Sequence, residues 1–358
     1  MDFIFPALIS FLITVSLIPL TIRFAKKYGL LDNPKIRPHP AHIQQRIVPR
    51  AGGLGPFFAI LLSTFMFINF SIEITGILLG LNILLVIGLL DDKFKNFSPY
   101  IRLFGQFIAA VMVVFSGISI DFITNPLGGI LYLNFPITVF NQTLPILFSD
   151  FLAIVWIVWV MNMINWSKGV DGQMPSITTV ASFFLGLLSV KLTLAGDPNQ
   201  INVSKLSFIT TGASLGLLIF NWHPAKIFPG FSASAIFGFL IAVLSILSGA
   251  KLATAGLILL IPATDFAYTF IRRVLQGKSP VWGDRGHLHH KLLEMGLSHQ
   301  KISLFYFFGS VILGAAALSL SSSGKLFAAT LLAVVILGGI IWLNFFGDYL
   351  KRQDQDSG

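Results

Sequence analysis

The chain of 358 residues has no cysteine and little charge: only 11% of it is Asp, Glu, Lys or Arg, against 55% hydrophobic residues. The missing thiols exclude disulfides, zinc–thiolate sites, iron–sulfur clusters and cysteine nucleophiles. So little charge, with a mean hydropathy of +0.82, excludes a water-soluble fold. Acidic residues are the scarcer sign, 15 against 24 basic ones, which leaves a net charge of +9. In a soluble protein that excess points to nucleic acid, whereas in a membrane protein it marks cytoplasmic loops, so the position of the charges decides.

What is present is a series of apolar runs. A helix crossing a hydrocarbon core about 30 Å thick needs ~20 apolar residues. Eleven stretches come near that length, at 4–22, 52–71, 73–90, 101–119, 145–163, 176–194, 206–221, 232–249, 251–270, 302–321 and 325–346. The polar start of 232–249 makes it the weakest of the set. The first run has Asp2 and no Lys or Arg before it, and further segments follow, so it reads as a retained span and not a cleaved signal. The expectation is an all-α polytopic membrane protein of about eleven transmembrane helices. Residues 1–346 form a single integral-membrane domain, followed by a polar cytoplasmic tail, 347–358.

Scoring alternate loops places 20 of the 24 Lys and Arg on one side, which the positive-inside rule assigns to the cytoplasm. The N-terminus then lies outside and the C-terminus inside. Basic residues that follow loop sidedness form no folded basic domain, which argues against nucleic acid. A transporter or channel would call for an internal repeat or ionisable groups near mid-membrane, and the charges sit mostly at one interface. One external stretch, GGILYLNFPITVFN at 128–141, alternates apolar and polar residues and reads as a small β-hairpin with no ionisable side chain.

The cytoplasmic face gathers the unusual polar residues: all seven histidines, together with Asp91, Asp92, Asp171, Asp284 and, two turns deeper, Asp265. Asp91 and Asp92 close the run ILLVIGLLDDKFKNF beside Lys93 and Lys95. Carboxylates next to lysines at a lipid–water boundary suit a phosphate site, where lysine holds the anion and a carboxylate takes a proton or a metal. A solvated helix end paired to Lys95 is the alternative, although carboxylates oppose the dipole at a helix C-terminus. In NMINWSKGVDGQ, Asn162 and Asn165 lie one turn apart on one face, so their amides can converge on one ligand. The GVDG turn after them, ending at Gly172, can present backbone N–H groups to phosphate oxygens. RGHLHHK sets Arg285, His287, His289 and His290 in one basic loop fit for a pyrophosphate or nucleotide, or for anionic lipid headgroups. Zinc-protease ligand spacing is absent from it. RIVPRAGGLG, from Arg46 to Gly55, pairs glycines with a basic approach to the second span.

These four clusters, in this order, resemble the polyprenyl-phosphate N-acetylhexosamine-1-phosphate transferase family over essentially the whole chain. The most specific pieces are LLDDKFK followed by a helix with GQFIAA, NMIN with its trailing GVDG, and DRGHLHHKLLEMGLS. The last resembles the branch that uses UDP-GlcNAc or a similar sugar nucleotide more than the muramoyl-pentapeptide branch. The resemblance implies transfer of a sugar-1-phosphate from a UDP-sugar to undecaprenyl phosphate in the plasma membrane, with release of UMP and with Mg²⁺. It implies catalytic roles for Asp91 and Asp92, and metal ligation by Asp92 and Asp171. It implies substrate contacts from Lys95, Asn162, Asn165, Asp171, Arg285, His287, His289 and His290, and it allows a homodimer.

Two positions depart from the family pattern. In N-x-x-N-x-x-D-G-x-D-G the first aspartate is here Lys168, and in a segment resembling PAKIFMGDAGS the acidic position is Phe231, within PAKIFPGFSAS. Neither side chain ligates Mg²⁺, and an ammonium repels it. The expectation is a weakened or lost metal site, with Lys168 supplying part of its charge. The alternative to an active transferase is accordingly a catalytically impaired relative that binds sugar nucleotide or polyprenyl phosphate.

Overall fold

A computed structural model describes residues 3–34, 46–94, 96–125, 128–139, 142–249, 252–279 and 286–356. Lys95 and Arg285 lie outside the described residues. The helices are α1 (Ile4–Tyr28), α2 (Leu54–Phe67), α3 (Ile72–Lys93), α4 (Pro99–Phe115), α5 (Phe148–Trp166), α6 (Gln173–Leu194) and α7 (Gln200–Asn221). After them come α8 (Gly230–Leu247), α9 (Leu252–Ile258), α10 (Leu260–Leu275), α11 (Leu288–Glu294), α12 (His299–Ser319) and α13 (Ser322–Asp356). Serine hydroxyls start three of them: Ser71 accepts from Ile74 N at 3.3 Å, Ser98 from Tyr100 N at 3.3 Å and Ser298 from Lys301 N at 3.3 Å.

Every expected apolar stretch holds helix, but not every helix is long enough to span. Eight are long and apolar enough among the described residues: α1, α3, α5, α6, α7, α8, α12 and Ser322–Leu343 of α13. The α9–α10 pair is bent by 84° and makes a ninth only if taken as one span. The break follows from Pro262, which has no N–H to donate to the carbonyl of Ile258, the last residue of α9. At 14 and 17 residues α2 and α4 reach only ~21 and ~25 Å at 1.5 Å per residue. The helix α13 continues to Asp356, so the polar tail prolongs it.

The stretch 128–141 does not pair with itself. Its strand β4 (Ile130–Tyr132) runs antiparallel to β3 (Phe122–Thr124), and β5 (Pro136–Val139) runs antiparallel to β6 (Gln142–Leu147). The two pairings extend the β region beyond both ends of the alternating stretch.

The centre of the bundle is α8, the stretch whose polar start made it weakest in sequence. It is 94% buried, packed on α3 and α5 and touched by α2, α6, α7 and α9. A helix apolar on all sides belongs in such a position. Around it, hydroxyls link neighbouring helices, as in Thr178–Ser214 at 2.6 Å between α6 and α7 and Ser176–Ser303 at 3.1 Å between α6 and α12.

The entry to α8 is tied to the entry to α2. Phe228 N donates to Pro49 O at 2.8 Å, and Gly52 N donates to Phe228 O at 3.1 Å. A short antiparallel pair, β1 (Leu31–Asp32) with β2 (Val48–Pro49), holds the same segment from its other side. These contacts carry Arg50 and Asp32 to the N-terminal end of α8, where α3 and α5 also finish.

Candidate active site

An α-helix leaves its first N–H groups without internal partners, and Pro229, in the N-cap position of α8, has no side-chain acceptor. Asp92, at the end of α3, supplies one. Its Oδ1 accepts from Phe231 N at 2.9 Å, and its Oδ2 accepts from Ser232 Oγ at 2.7 Å and Ser232 N at 3.4 Å. The carboxylate is fully buried and stabilised by the positive end of the helix. Gly230 permits this approach, because its φ is +66° and a Cβ there would overlap the Asp92 carboxylate.

Arg50 answers three carboxylates together: Asp92 at 3.4 Å, Asp32 at 3.5 Å and Asp91 at 3.6 Å. Burial alone would lower its pKa, but Asp92, Asp32 and Asp91 outweigh burial and hold the guanidinium above its ordinary value. It stays charged at any physiological pH. Arg102 of α4 reaches the other oxygen of Asp91 at 3.4 Å. Asp91 therefore sits between two guanidinium groups, while its sequence neighbour caps a helix.

Beside this network, Lys168 donates to Asn165 Oδ1 at 2.6 Å and to Gly230 O at 3.1 Å. Its pKa is lowered to about 7, first by burial and then by Arg50, with Asp91 and Asp92 partly offsetting the loss. The Phe231 ring is buried, with Arg102 5.5 Å and Lys168 5.8 Å from its centroid. The two asparagines do not converge on one group. Asn165 accepts from Lys168 and from Ser234 Oγ at 3.0 Å, whereas Asn162 donates to Gln106 Oε1 of α4 at 2.9 Å and to Val158 O.

The turn after Lys168 is also occupied differently from the sequence expectation. Its N–H groups meet side chains: Val170 N donates to Gln173 Oε1 at 3.3 Å, Asp171 N to His299 Nδ1 at 3.4 Å and Gly172 N to Asn221 Oδ1 at 2.9 Å. They are satisfied by the fold and not presented to phosphate. Asp171, buried, takes His223 Nδ1 at 2.7 Å and Ala225 N at 3.1 Å on one oxygen. Arg46 lies 3.9 Å away.

The histidine segment packs against the same turn. Asp265 of α10 accepts from Leu288 N at 2.7 Å and pairs with His287 Nδ1 at 3.0 Å, which fixes the start of α11. His287 lies edge-on to Trp166 and parallel to His289, with ring centroids 5.2 and 5.4 Å away. Nε2 of His289 faces Gly169 so closely that a Cβ at 169 would overlap it. Burial, then His290 and His287, holds the pKa of His289 well below the ordinary range, so it is neutral at pH 7.

The segment 165–172 thus touches three groups: the arginine–carboxylate network through Asn165 and Lys168, the histidine segment through Gly169, and the Asp171–His223–His299 group. Asp91, Asp92, Asn162, Asn165, Asp171, His287, His289 and His290 all lie along or next to it. Arg50, Arg102, Asp32, Gln106, Ser232, His223 and His299 complete these groups and were not expected as site residues. The adjacency of Arg50 to the paired glycines in RIVPRAGGLG, the GQFIAA motif that holds Gln106 and the gathering of all seven histidines on one face were the signals that pointed toward some of them.

Mg²⁺ requires hard oxygen ligands in near-octahedral geometry. Of the four positions tied to it by resemblance, Lys168 brings a cation and Phe231 no ligand atom. Asp92 gives both oxygens to α8, and Asp171 is paired with an imidazole. These residues do not fit Mg²⁺ at that place.

Residues 74–249 match the family model described as Glycosyl transferase family 4. The chain is 30% identical over 355 residues to a protein of Bacillus subtilis (strain 168) named probable undecaprenyl-phosphate N-acetylglucosaminyl 1-phosphate transferase, covering 95% of this chain and 86% of that one. It is 27% identical to the decaprenyl-phosphate N-acetylglucosaminephosphotransferase of Mycobacterium tuberculosis (strain ATCC 25618 / H37Rv), over 89% of this chain and 83% of that one. It is 28% identical to the phospho-N-acetylmuramoyl-pentapeptide-transferase of Orientia tsutsugamushi (strain Ikeda), over 87% and 91% of the two chains.

Proposed function

Because the chain belongs to glycosyl transferase family 4, we propose that it transfers an N-acetylhexosamine-1-phosphate, GlcNAc-1-phosphate above all, from a UDP-sugar to undecaprenyl phosphate. A phosphate oxygen of the lipid attacks the sugar-bearing phosphorus of the donor. The new P–O bond joins sugar phosphate to lipid, the pyrophosphate P–O bond breaks, and UMP leaves with the bonding electrons. The reaction takes place at the cytoplasmic face of the plasma membrane, with the N-terminus outside, and starts a cell-envelope glycan.

The observation that carries this reading is the single segment 165–172 with cations on one flank and imidazoles on the other. Bringing two anions together mainly requires positioning and charge neutralisation. Arg102 and Lys168 supply positive charge that holds the phosphates next to Asp91, which takes the proton of the lipid phosphate. The uncharged His289 and its neighbours face the sugar nucleotide. A second reading, binding without turnover, is favoured by Lys168 and the buried Phe231 at the positions expected to be acidic.

The test is transfer from labelled UDP-GlcNAc to undecaprenyl phosphate by purified protein, with EDTA and without, beside calorimetric binding of the donor. Turnover that survives EDTA and disappears in Asp91→Asn supports the first reading with Lys168 in place of a metal. Binding without turnover supports the second. Neither binding nor turnover with any UDP-sugar or polyprenyl phosphate would sink both.

A further inference from the structure

The fold joins Asp171 of the GVDG turn to two histidines that neither the proposed reaction nor the sequence motifs use. Asp171, His223 and His299 come from three elements: the turn before α6, the loop before α8 and the first residue of α12. One ligand atom from each lies within 4.8 Å of the other two. His223 Nδ1 is 2.7 Å from Asp171 Oδ2, and the two imidazoles stack with centroids 4.6 Å apart at 25°. No sequence spacing signals this set, since its members are 52 and 76 residues apart in the chain.

We propose that Asp171, His223 and His299 form a binding site for a transition-metal dication of the Zn²⁺ class. Two imidazole nitrogens and one carboxylate oxygen make a borderline-soft donor set, which suits Zn²⁺ or Co²⁺ and not Mg²⁺. Bonds of about 2.0–2.2 Å in a tetrahedron put ligand atoms ~3.4 Å apart, inside the range these side chains already occupy. The carboxylate is held in place, since Ala225 N donates to it at 3.1 Å and Gly172, next to it, is anchored on Asn221. The His223 side chain is 35% exposed, which leaves the site open to ions from solution. Three protein ligands leave a fourth position for water or an anion. Arg46, 3.9 Å from Asp171 and half exposed, brings a charge that opposes a dication, and it must swing away when the metal enters.

This inference does not rest on the transferase reading, because binding is measured without donor or lipid. The experiment is titration of the full-length protein in detergent, stripped with EDTA and dialysed, first with Co²⁺ followed by its visible d–d bands, then with Zn²⁺ as competitor. One Co²⁺ per chain, displaced by Zn²⁺, is expected. His223→Gln and His299→Gln should each weaken binding by at least about tenfold. His290→Gln should bind as the parent does, and Arg46→Gln should bind more tightly. A rise in melting temperature with Zn²⁺ in the parent, absent from His223→Gln, separates loss of the site from loss of the fold. Binding unchanged in both His223→Gln and His299→Gln, or lost in His290→Gln, or no Co²⁺ bound by the parent, overturns the proposal.

Discussion

Two carboxylates on either side of Lys168 live in opposite electrostatic worlds. Asp91 lies between Arg50 and Arg102, two groups that cannot lose their charge near neutral pH. Asp171 lies between imidazoles, the nitrogen donors of transition-metal sites. The first network is a permanent scaffold that also closes the end of α8. The second offers ligand atoms of three side chains within 4.8 Å of one another. Lys168 stands between them, since burial brings its pKa to about 7 and lets its charge change near physiological pH.

The contrast is sharpest in stability. Arg50→Leu leaves Asp32, Asp91 and Asp92 buried without their shared cation and is expected to cost about 3–5 kcal/mol, the range for breaking a buried ion pair from one side. Asp171→Asn keeps an acceptor for Ala225 N and should cost about 1–2 kcal/mol. Thermal unfolding in detergent compares the two, and equal losses would break the distinction.

In activity, Asp91→Asn should lower transfer by about 100-fold or more with a melting temperature close to the parent's, because Arg50 keeps Asp92 and Asp32 and Arg102 is partly open to solvent. A variant with parental turnover would remove Asp91 from the reaction.

The pH profile separates the regimes next. Burial favours the neutral amine of Lys168, so its ammonium is present below about pH 7 and lost above it. If that charge holds the leaving phosphate, kcat/KM falls as pH rises through about 7, and Lys168→Arg flattens the profile between pH 6 and 8. Folding stability moves the other way. The folded pKa lies below the ordinary value of 10.5, so the penalty of a buried ammonium is full below about 7 and is relieved as pH rises toward 10.5. Parallel rises in kcat/KM and stability would contradict the assignment.

The smallest effect is expected from His290→Ala, a rise of roughly 3–10-fold in KM for the sugar nucleotide with kcat unchanged, as loss of uniform binding predicts. An unchanged KM would move the histidine segment to a purely structural role.

How far the sequence carried these conclusions differs between fold and site. Apolar runs marked the long helices, because burial of long apolar segments dominates the pattern, but not the short α11, whose segment read as a basic loop. The 84° break depended on the single Pro262 and the shortness of α2 on the extended backbone at Ile68. Asp91 and Asp92 look alike in sequence. One step around a helix turns side chains by about 100°, which sends Asp91 to the arginines and Asp92 to α8. The asparagine pair was visible, but its partners Gln106 and Ser234 come from other helices and no periodicity announces them. His223 and His299 looked like isolated loop residues, because only the crossing of loops near α6, α8 and α12 makes them neighbours.

Gly169 has a consequence for how this molecule can change over generations. The imidazole of His289 rests directly on its α-carbon, so the gap there is the width of a hydrogen atom. Every substitution available to evolution adds at least a methyl group and pries α11 off the turn in one step. That seam widens only if the His289 ring gives way, so position 169 and the histidine segment can change only together.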